Sequence, residues 1–467
     1  MVGGVRSRPP LNPCNYRMTQ VMPPPAARRP NVLPQPSRTH SRRSDMLAAL
    51  LLVAVILLTV FEGAGRKWLF PEYPLLRYAA YFSKDAVFIL AAYWGLRKER
   101  RFNLSWVVLC GILILIPSVF STMANSNFVG IGLSFRAYLV IPLCAFLAAP
   151  LIRNFRDVEH CAMAVAVSAI VVAAVGAYQY SLPKTHFLNR YDSGAEDTHV
   201  ASAAGHVRAT GTFAYIGGMA IMSGFSAWAG MLLVFPLRGR AGWVRLLGAA
   251  ALVGGLTCAS VSMSRGGLMF WCITVAGSLL LYLRASQVLV AGLAVVAVVS
   301  ALLTSRASED LDVLNEQPSL ASGLIHRIGS SDSFAERGHY VIENLIQGVV
   351  NHPFGEGLGV GQPGGMYASY GIRSSLGYES EWGRIAYEIG PAGLLGVLLM
   401  RFVAGLICWR ALLQTTDVHR RLVLATAIAF FGIMSLGWMA FNHVGNSAAW
   451  AVLALALAAV PRQQQQT

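Results

Sequence analysis

The sequence predicts an all-α, polytopic membrane helical bundle of about twelve transmembrane helices, with a long loop on the far side of the bilayer that contains an amphipathic helix. Three observations carry that prediction. Of the 467 residues 55% are hydrophobic and only 13% charged, with a mean hydropathy of +0.53; a soluble domain carries about a quarter charged residues. Apolar runs of about 18 to 25 residues recur along the chain, each long enough to cross a hydrocarbon layer about 30 Å thick. The basic residues fall in the short connections that a consistent orientation places on one side.

Residues 1–45 are rich in Pro and Arg without an apolar period, and read as a disordered cytoplasmic tail. Nine spans follow within 46–304, at 46–61, 78–96, 105–123, 131–152, 162–180, 212–235, 244–263, 266–283 and 288–304. Three more occupy 385–461, at 385–408, 422–441 and 448–460, before a short cytoplasmic end at 462–467. An even number of spans puts both ends on one side. The connections on that side carry Arg97, Lys98, Arg100 and Arg101; Arg153 and Arg156; Arg238, Arg240 and Arg245; Arg284; and Arg410, Arg420 and Arg421. The positive-inside bias favours that register. Two longer connections, near 181–211 and at 305–384, then lie outside, and they hold acids as well as bases (Glu196, Asp197, Glu309, Asp310, Asp312, Glu316, Asp332, Glu336).

The 305–384 segment is too long for an idle loop. Within it Val341, Ile342, Leu345, Ile346, Val349 and Val350 recur at helical spacing, which predicts an amphipathic helix at the outer membrane–water boundary. Glycines 355, 357, 359, 361, 364 and 365 follow as a close-packed turn. No internal repeat shows, nor helices interrupted by Gly or Pro in matching halves.

The net charge of +15 lies largely in the tail and the inner connections, and no basic stretch is interleaved with aromatics, so nucleic acid is not an expected partner. Six of the seven cysteines fall inside apolar runs and Cys14 in the tail, none at metal-ligand spacing; they read as packing residues. No His-x-x-x-His arrangement occurs, and the one Asp-x-Asp, Asp310-Leu311-Asp312, stands without a histidine or cysteine beside it, so neither a metal nor a cofactor is expected.

Arginines beside or inside outer-side span ends are the most informative polar feature. An arginine at bilayer depth is costly unless it faces a polar cavity or a partner. Arg136 lies at the outer end of the fourth span, Arg208 just before the sixth, Arg265 between the seventh and eighth, Arg337 at the start of the amphipathic helix and Arg384 at the start of the tenth span. Guanidinium forks match phosphate oxygens and keep their charge at any relevant pH. The competing reading is snorkelling to headgroups or pairing with a helix-end acid; only Arg337 and Arg384 have acids close in sequence, Glu336 and Glu381. Lys84-Asp85, inside the second span, reads as an internal pair, and Arg66-Lys67-Trp68 lies just outside the first. Glu379, Glu381, His339 and His443 are candidates for taking a proton in general acid–base chemistry, with solvated loop residues as the plain alternative.

Several of these residues stand in recognisable stretches. Ser262-Met263-Ser264-Arg265-Gly266-Gly267, Arg208-Ala209-Thr210-Gly211-Thr212-Phe213, Arg337 followed by Asn351-His352-Pro353-Phe354-Gly355-Glu356-Gly357-Leu358-Gly359, and Glu388-Ile389-Gly390-Pro391-Ala392-Gly393 resemble, in order, motifs of the O-antigen ligase and O-antigen or exopolysaccharide polymerase family. Glu62-Gly63 with Arg66-Lys67-Trp68 is similar to exopolysaccharide relatives. The resemblance implies a bacterial inner-membrane glycosyltransferase working on the periplasmic face. It implies an undecaprenyl-diphosphate-linked oligosaccharide as donor, a growing glycan as acceptor, and metal-independent inverting transfer. Arg208, Arg265 and Arg337, with Arg136 and Arg384, would hold the diphosphate, and Glu381, with Glu379 and His339, would serve the acceptor hydroxyl. A chain-length regulator or export machinery is the implied protein partner. The ligase branch carries a His-Asn pair near the end of the long loop, where this chain reads Tyr378-Glu379-Ser380-Glu381-Trp382, so the polymerase branch is favoured over a ligase. A lipid-glycan flippase and an inactive sensor or assembly scaffold are the readings from other classes.

Overall fold

Polar residues start four of the described helices by accepting from the free N–H groups of the first turn. In the computed structural model, Ser264 accepts from Gly267, Ser380 from Gly383, Asp417 from His419, and Asn442 from both Val444 and Gly445. The structure describes residues 38–98, 105–122, 128–152, 154–191, 202–203, 206–235, 240–283, 334–360, 380–437, 439 and 442–460, with the backbone alone at 38–48, 105–106, 117, 120–122 and 334–338. Contacts divide the chain into Met1–Arg43 and Ser44–Thr467, and the second unit holds the bundle.

The helices are α1 (Arg38–Ala64), continued by a π turn at Gly65–Leu69, α2 (Pro74–Lys98) and α3 (Ser105–Thr122). Then come α4 (Phe128–Phe135) and α5 (Ile141–Ala148), joined by a π turn at Arg136–Val140, and α6 (Phe155–Ser181). After a two-residue antiparallel ladder between Ser202–Ala203 and His206–Val207 follow α7 (Ile216–Val234), α8 (Gly242–Val261) and α9 (Arg265–Tyr282). The last are α10 (Phe334–Asn351), α11 (Glu381–Gln414), α12 (Val418–Ser435) and α13 (His443–Ala459).

Among the described residues eight helical stretches are long and apolar enough to cross a membrane, the first Ala49–Leu69 and the last Val418–Ser435. The chain is a multi-pass, all-α membrane bundle. Helices also stand at the second, third and twelfth expected spans, but α2 carries Arg77, Lys84, Asp85, Arg97 and Lys98, and the apolar stretches Val107–Ile116 and His443–Ala459 are short. The expected span 288–304 lies outside the described residues, as does most of 305–384.

A helix that is apolar on every side must be enclosed by others, and α7 is: every residue from Gly218 to Leu233 is buried. It packs on α8 and α9; α8 packs on α6, α9 on α12, α12 on α13, α5 on α2 and α3 on α11. Small residues set the close approaches. A Cβ on Gly248 would fall 2.8 Å from Val234 N, and one on Gly95 would overlap the Leu147 carbonyl.

The expected tenth span, continuous over 385–408, is broken. Gly390 takes φ +67° and ψ 179°, a conformation left to glycine, and Pro391 follows. Pro391 has no N–H for the Tyr387 carbonyl, and the break also leaves the Glu388 carbonyl without a helical donor. The turn after α10 fills both places: Glu356 N–H donates to Tyr387 O at 2.7 Å and Gly357 N–H to Glu388 O at 3.1 Å. The glycine run therefore serves as a plug for a broken helix. Gly355 (φ +76°) and Gly359 (φ +92°) allow the fit, since a Cβ at either would overlap backbone of 388–390 or of 130–131. The two parts of α11 fold back on each other: Glu381 and Arg401, 20 residues apart, meet at 2.6 Å, where one straight helix would hold them about 30 Å apart.

Replacing Gly390 with Ala is expected to cost about 1–3 kcal/mol, because an L side chain is strained in that conformation and its Cβ would sit 3.0 Å from Pro353 O. Thermal unfolding in detergent should show a midpoint lowered by a few degrees. An unchanged midpoint would mean that the break does not depend on glycine.

Candidate functional site

The turn from α8 into α9 is tight. Met263, buried and bulky, adopts φ +48°, and Ser264 caps the helix that Arg265 opens. A non-glycine residue at positive φ costs free energy and persists where surrounding structure requires it. The segment entering α7 is joined to this turn: Ala209 N–H donates to Val261 O at 3.0 Å, and Arg208 Nε donates to Ser262 O at 3.2 Å. Both arginines are partly exposed. The N-terminus of α9 adds the partial positive charge of its free N–H groups, so the pair of turns is suited to an anion.

Two further elements fasten the Arg208 segment. Gln179, at the end of α6, accepts through Oε1 from Gly211 N (2.8 Å) and Thr210 N (3.2 Å). Lys67, buried in the π turn after α1, donates to Thr210 Oγ1 and Gly211 O, both at 2.9 Å. Thr212 Oγ1 donates to Val60 O at 2.7 Å. Gly211 adopts φ +56° beneath Val172 and Met219, and a Cβ there would come within 2.8 Å of Met219 Sδ. The ends of α1, α6 and α8 and the starts of α7 and α9 thus gather at one end of the bundle.

One turn before Lys67, α1 presents a buried carboxylate. Glu62 is in direct contact with Lys84 Nζ through Oε2, and its Oε1 lies 2.6 Å from His443 Nε2 and 3.8 Å from Arg66 Nη1. Asp85, the neighbour of Lys84, pairs instead with Arg136: Oδ2 to Nε at 2.7 Å and Oδ1 to Nη2 at 3.0 Å. Arg136 also donates to Tyr81 Oη at 2.8 Å. Tyr81 lies between these groups, its ring 4.8 Å from the Arg66 and Arg136 guanidiniums, 4.7 Å from Lys84 Nζ and 5.0 Å from the His443 ring. Charges with little access to water are tolerated when paired in this way.

A second acid group belongs to α11. Glu381 Oε1 accepts from Arg401 Nη2 at 2.6 Å, and Arg401 also donates to Ser435 O at 3.1 Å and lies 5.0 Å from the Trp382 ring. Glu388, fully buried beside the break, accepts through Oε2 from Ser134 Oγ and Tyr138 Oη, both at 2.8 Å.

Set against the expected site, these positions divide. Arg208 and Arg265 come from joined turns. Arg136 is not at the outer end of a span but eight residues into the helix, in a π turn, and Asp85 occupies it. Lys84-Asp85 is no internal pair, since each partners a different helix. Arg384 lies in the first turn of α11, partly buried. Glu381 is buried and turned toward Arg401, and His339 is exposed on α10. Arg337 lies in the first turn of α10 with its side chain outside the described residues, as is Glu379 entirely. Tyr81 and Arg401 are absent from the expected site, and Glu62 and Glu388 enter it only as motif residues, although an ionisable residue in or beside an apolar run is itself the signal. Among the described residues no three His, Cys, Asp or Glu side chains gather as metal ligands would. No family model matches the chain, and no curated protein matches it.

Proposed function

We propose that the chain is a membrane glycosyltransferase of the polysaccharide polymerase or ligase type. In this reading it polymerises undecaprenyl-diphosphate-linked glycan repeats, of O-antigen or exopolysaccharide, on the periplasmic face of the bacterial inner membrane. The frame is the full set of twelve spans with both termini cytoplasmic and 305–384 as the periplasmic loop. The reaction is an inverting transfer without metal: the acceptor hydroxyl attacks the anomeric carbon and the lipid diphosphate leaves as an anion.

The observation that supports it most is the joining of the Arg208 and Arg265 turns at the N-terminus of α9. Two guanidiniums at a helix N-terminus form a cradle for a diphosphate. As the leaving group gains charge, donors already fixed in place stabilise it without reorganising. The sequence motifs at Arg208, Arg265, Arg337 and Asn351 to Gly359 resemble the polymerase and ligase family, and a loop over the site would exclude the water that hydrolyses donor.

The break in α11 favours one other reading, a lipid-glycan transporter, because discontinuous helices expose carbonyls for substrate or coupling ions. Here the freed Tyr387 and Glu388 carbonyls are already taken by Glu356 and Gly357, which weakens that reading.

The test is incubation of purified protein with a lipid-diphosphate glycan in chelator, followed by product sizing. A ladder of products is expected. A single transfer to a different acceptor would identify a ligase, and intact donor under all conditions would remove the enzymatic reading.

A further inference from the structure

A histidine in contact with a buried carboxylate through one ring nitrogen is held in a fixed orientation, and the other nitrogen is then available to exchange a proton. His443 is placed in this way at the start of α13. Its Nε2 lies 2.6 Å from Glu62 Oε1, and its side chain keeps a fifth of its surface open while Glu62 is almost fully enclosed (20% against 1%). Among the described residues no hydrogen bond or ion pair engages Nδ1. Lys84 neutralises Glu62 from the opposite side, so the carboxylate holds the ring without bringing uncompensated negative charge. The ionisable groups facing the ring are Glu62 and Arg66 from the end of α1 and Tyr81 and Lys84 from α2, with Asp85 and Arg136 behind them.

The dyad also adjoins the arginine turns. Lys67 follows Glu62 by little more than one helical turn and hydrogen-bonds Thr210 and Gly211 of the Arg208 segment. The other proton acceptors are less suited: Glu381 is engaged by Arg401, and His339 is solvated on α10.

We propose that His443 is the general base of the transfer, with Glu62 and Lys84 as positioning residues. The inference rests on the glycosyl-transfer reading above. In the step, the acceptor hydroxyl oxygen forms the new bond to the anomeric carbon. Its proton passes to His443 Nδ1, and the bond from that carbon to the diphosphate oxygen breaks with its electron pair on the oxygen. The imidazolium formed faces Glu62 and returns its proton to solvent as the lipid diphosphate departs.

The full-length protein in detergent, given a synthetic polyprenyl-diphosphate oligosaccharide, tests this. His443→Gln should lower turnover by about 10²–10⁴-fold, leave the Kd for the donor unchanged, and flatten the acid limb of the rate–pH profile. Glu62→Gln should give a smaller loss and displace that limb along the pH axis, which a purely structural contact would leave in place. An active wild type with His443→Gln within about threefold of it would overturn the assignment alone. So would loss of donor binding together with turnover, which is the mark of a structural residue. A wild type that transfers nothing would overturn the glycosyl-transfer reading and this inference together.

Discussion

Arg265→Ala and, separately, Arg337→Ala are expected to cut polymer formation by about 10²–10³-fold while the protein still reaches the membrane. Each would remove a fixed cation from the leaving diphosphate, and the loss of one preorganised donor to a developing oxyanion lowers turnover by about 10²–10³-fold. Folding should survive in Arg265→Ala, since the cap of α9 is made by Ser264 and the joining hydrogen bonds are made by Ala209 and Arg208. Lysine at either position should rescue poorly, because an ammonium is a point charge without the two-pronged fork. The measurement is polymer length and yield against membrane level of the protein. Wild-type polymer in both alanine variants would remove the catalytic assignment.

Arg401→Met should be the most destabilising of the single changes considered, by about 3–5 kcal/mol, because it leaves Glu381 charged and buried with no counterion. The pair joins the two parts of α11 across the Gly390 break, so its loss should also loosen the fold-back. Glu381→Gln combined with Arg401→Met should recover most of the stability, since a neutral pair carries no stranded charge. Thermal midpoints of the two single variants and the double complete the cycle. Simple additivity would show that the two residues do not act as a pair.

Apolar length made eight of the twelve expected spans legible in the sequence, and polar caps such as Ser264 and Ser380 stand where helices begin. The nearness of Arg208 to Arg265 was legible only as shared sidedness; the backbone bond from Ala209 to Val261 that joins their turns has no local signal. The break at Gly390-Pro391 is written in the sequence, yet the apolar run over 385–408 predicts one continuous helix. What stabilises the break is the 355–359 turn, some thirty residues upstream, and local propensity carries nothing of that. The charge pairs failed for the same reason: Arg136 finds its acid 51 positions away and His443 finds Glu62 from the opposite end of the chain. Closeness in sequence marks pairs along one helix and carries nothing of those between helices.

Direct binding of a lipid diphosphate to the purified protein tests the central claim most closely. With a chelator present, a polyprenyl-diphosphate oligosaccharide should bind the wild type and be displaced by inorganic diphosphate. The double variant Arg208→Ala with Arg265→Ala should bind at least about 100-fold more weakly, each charge-assisted contact contributing about 1.5–3 kcal/mol. Equal affinity in wild type and double variant would contradict a site formed by those two turns.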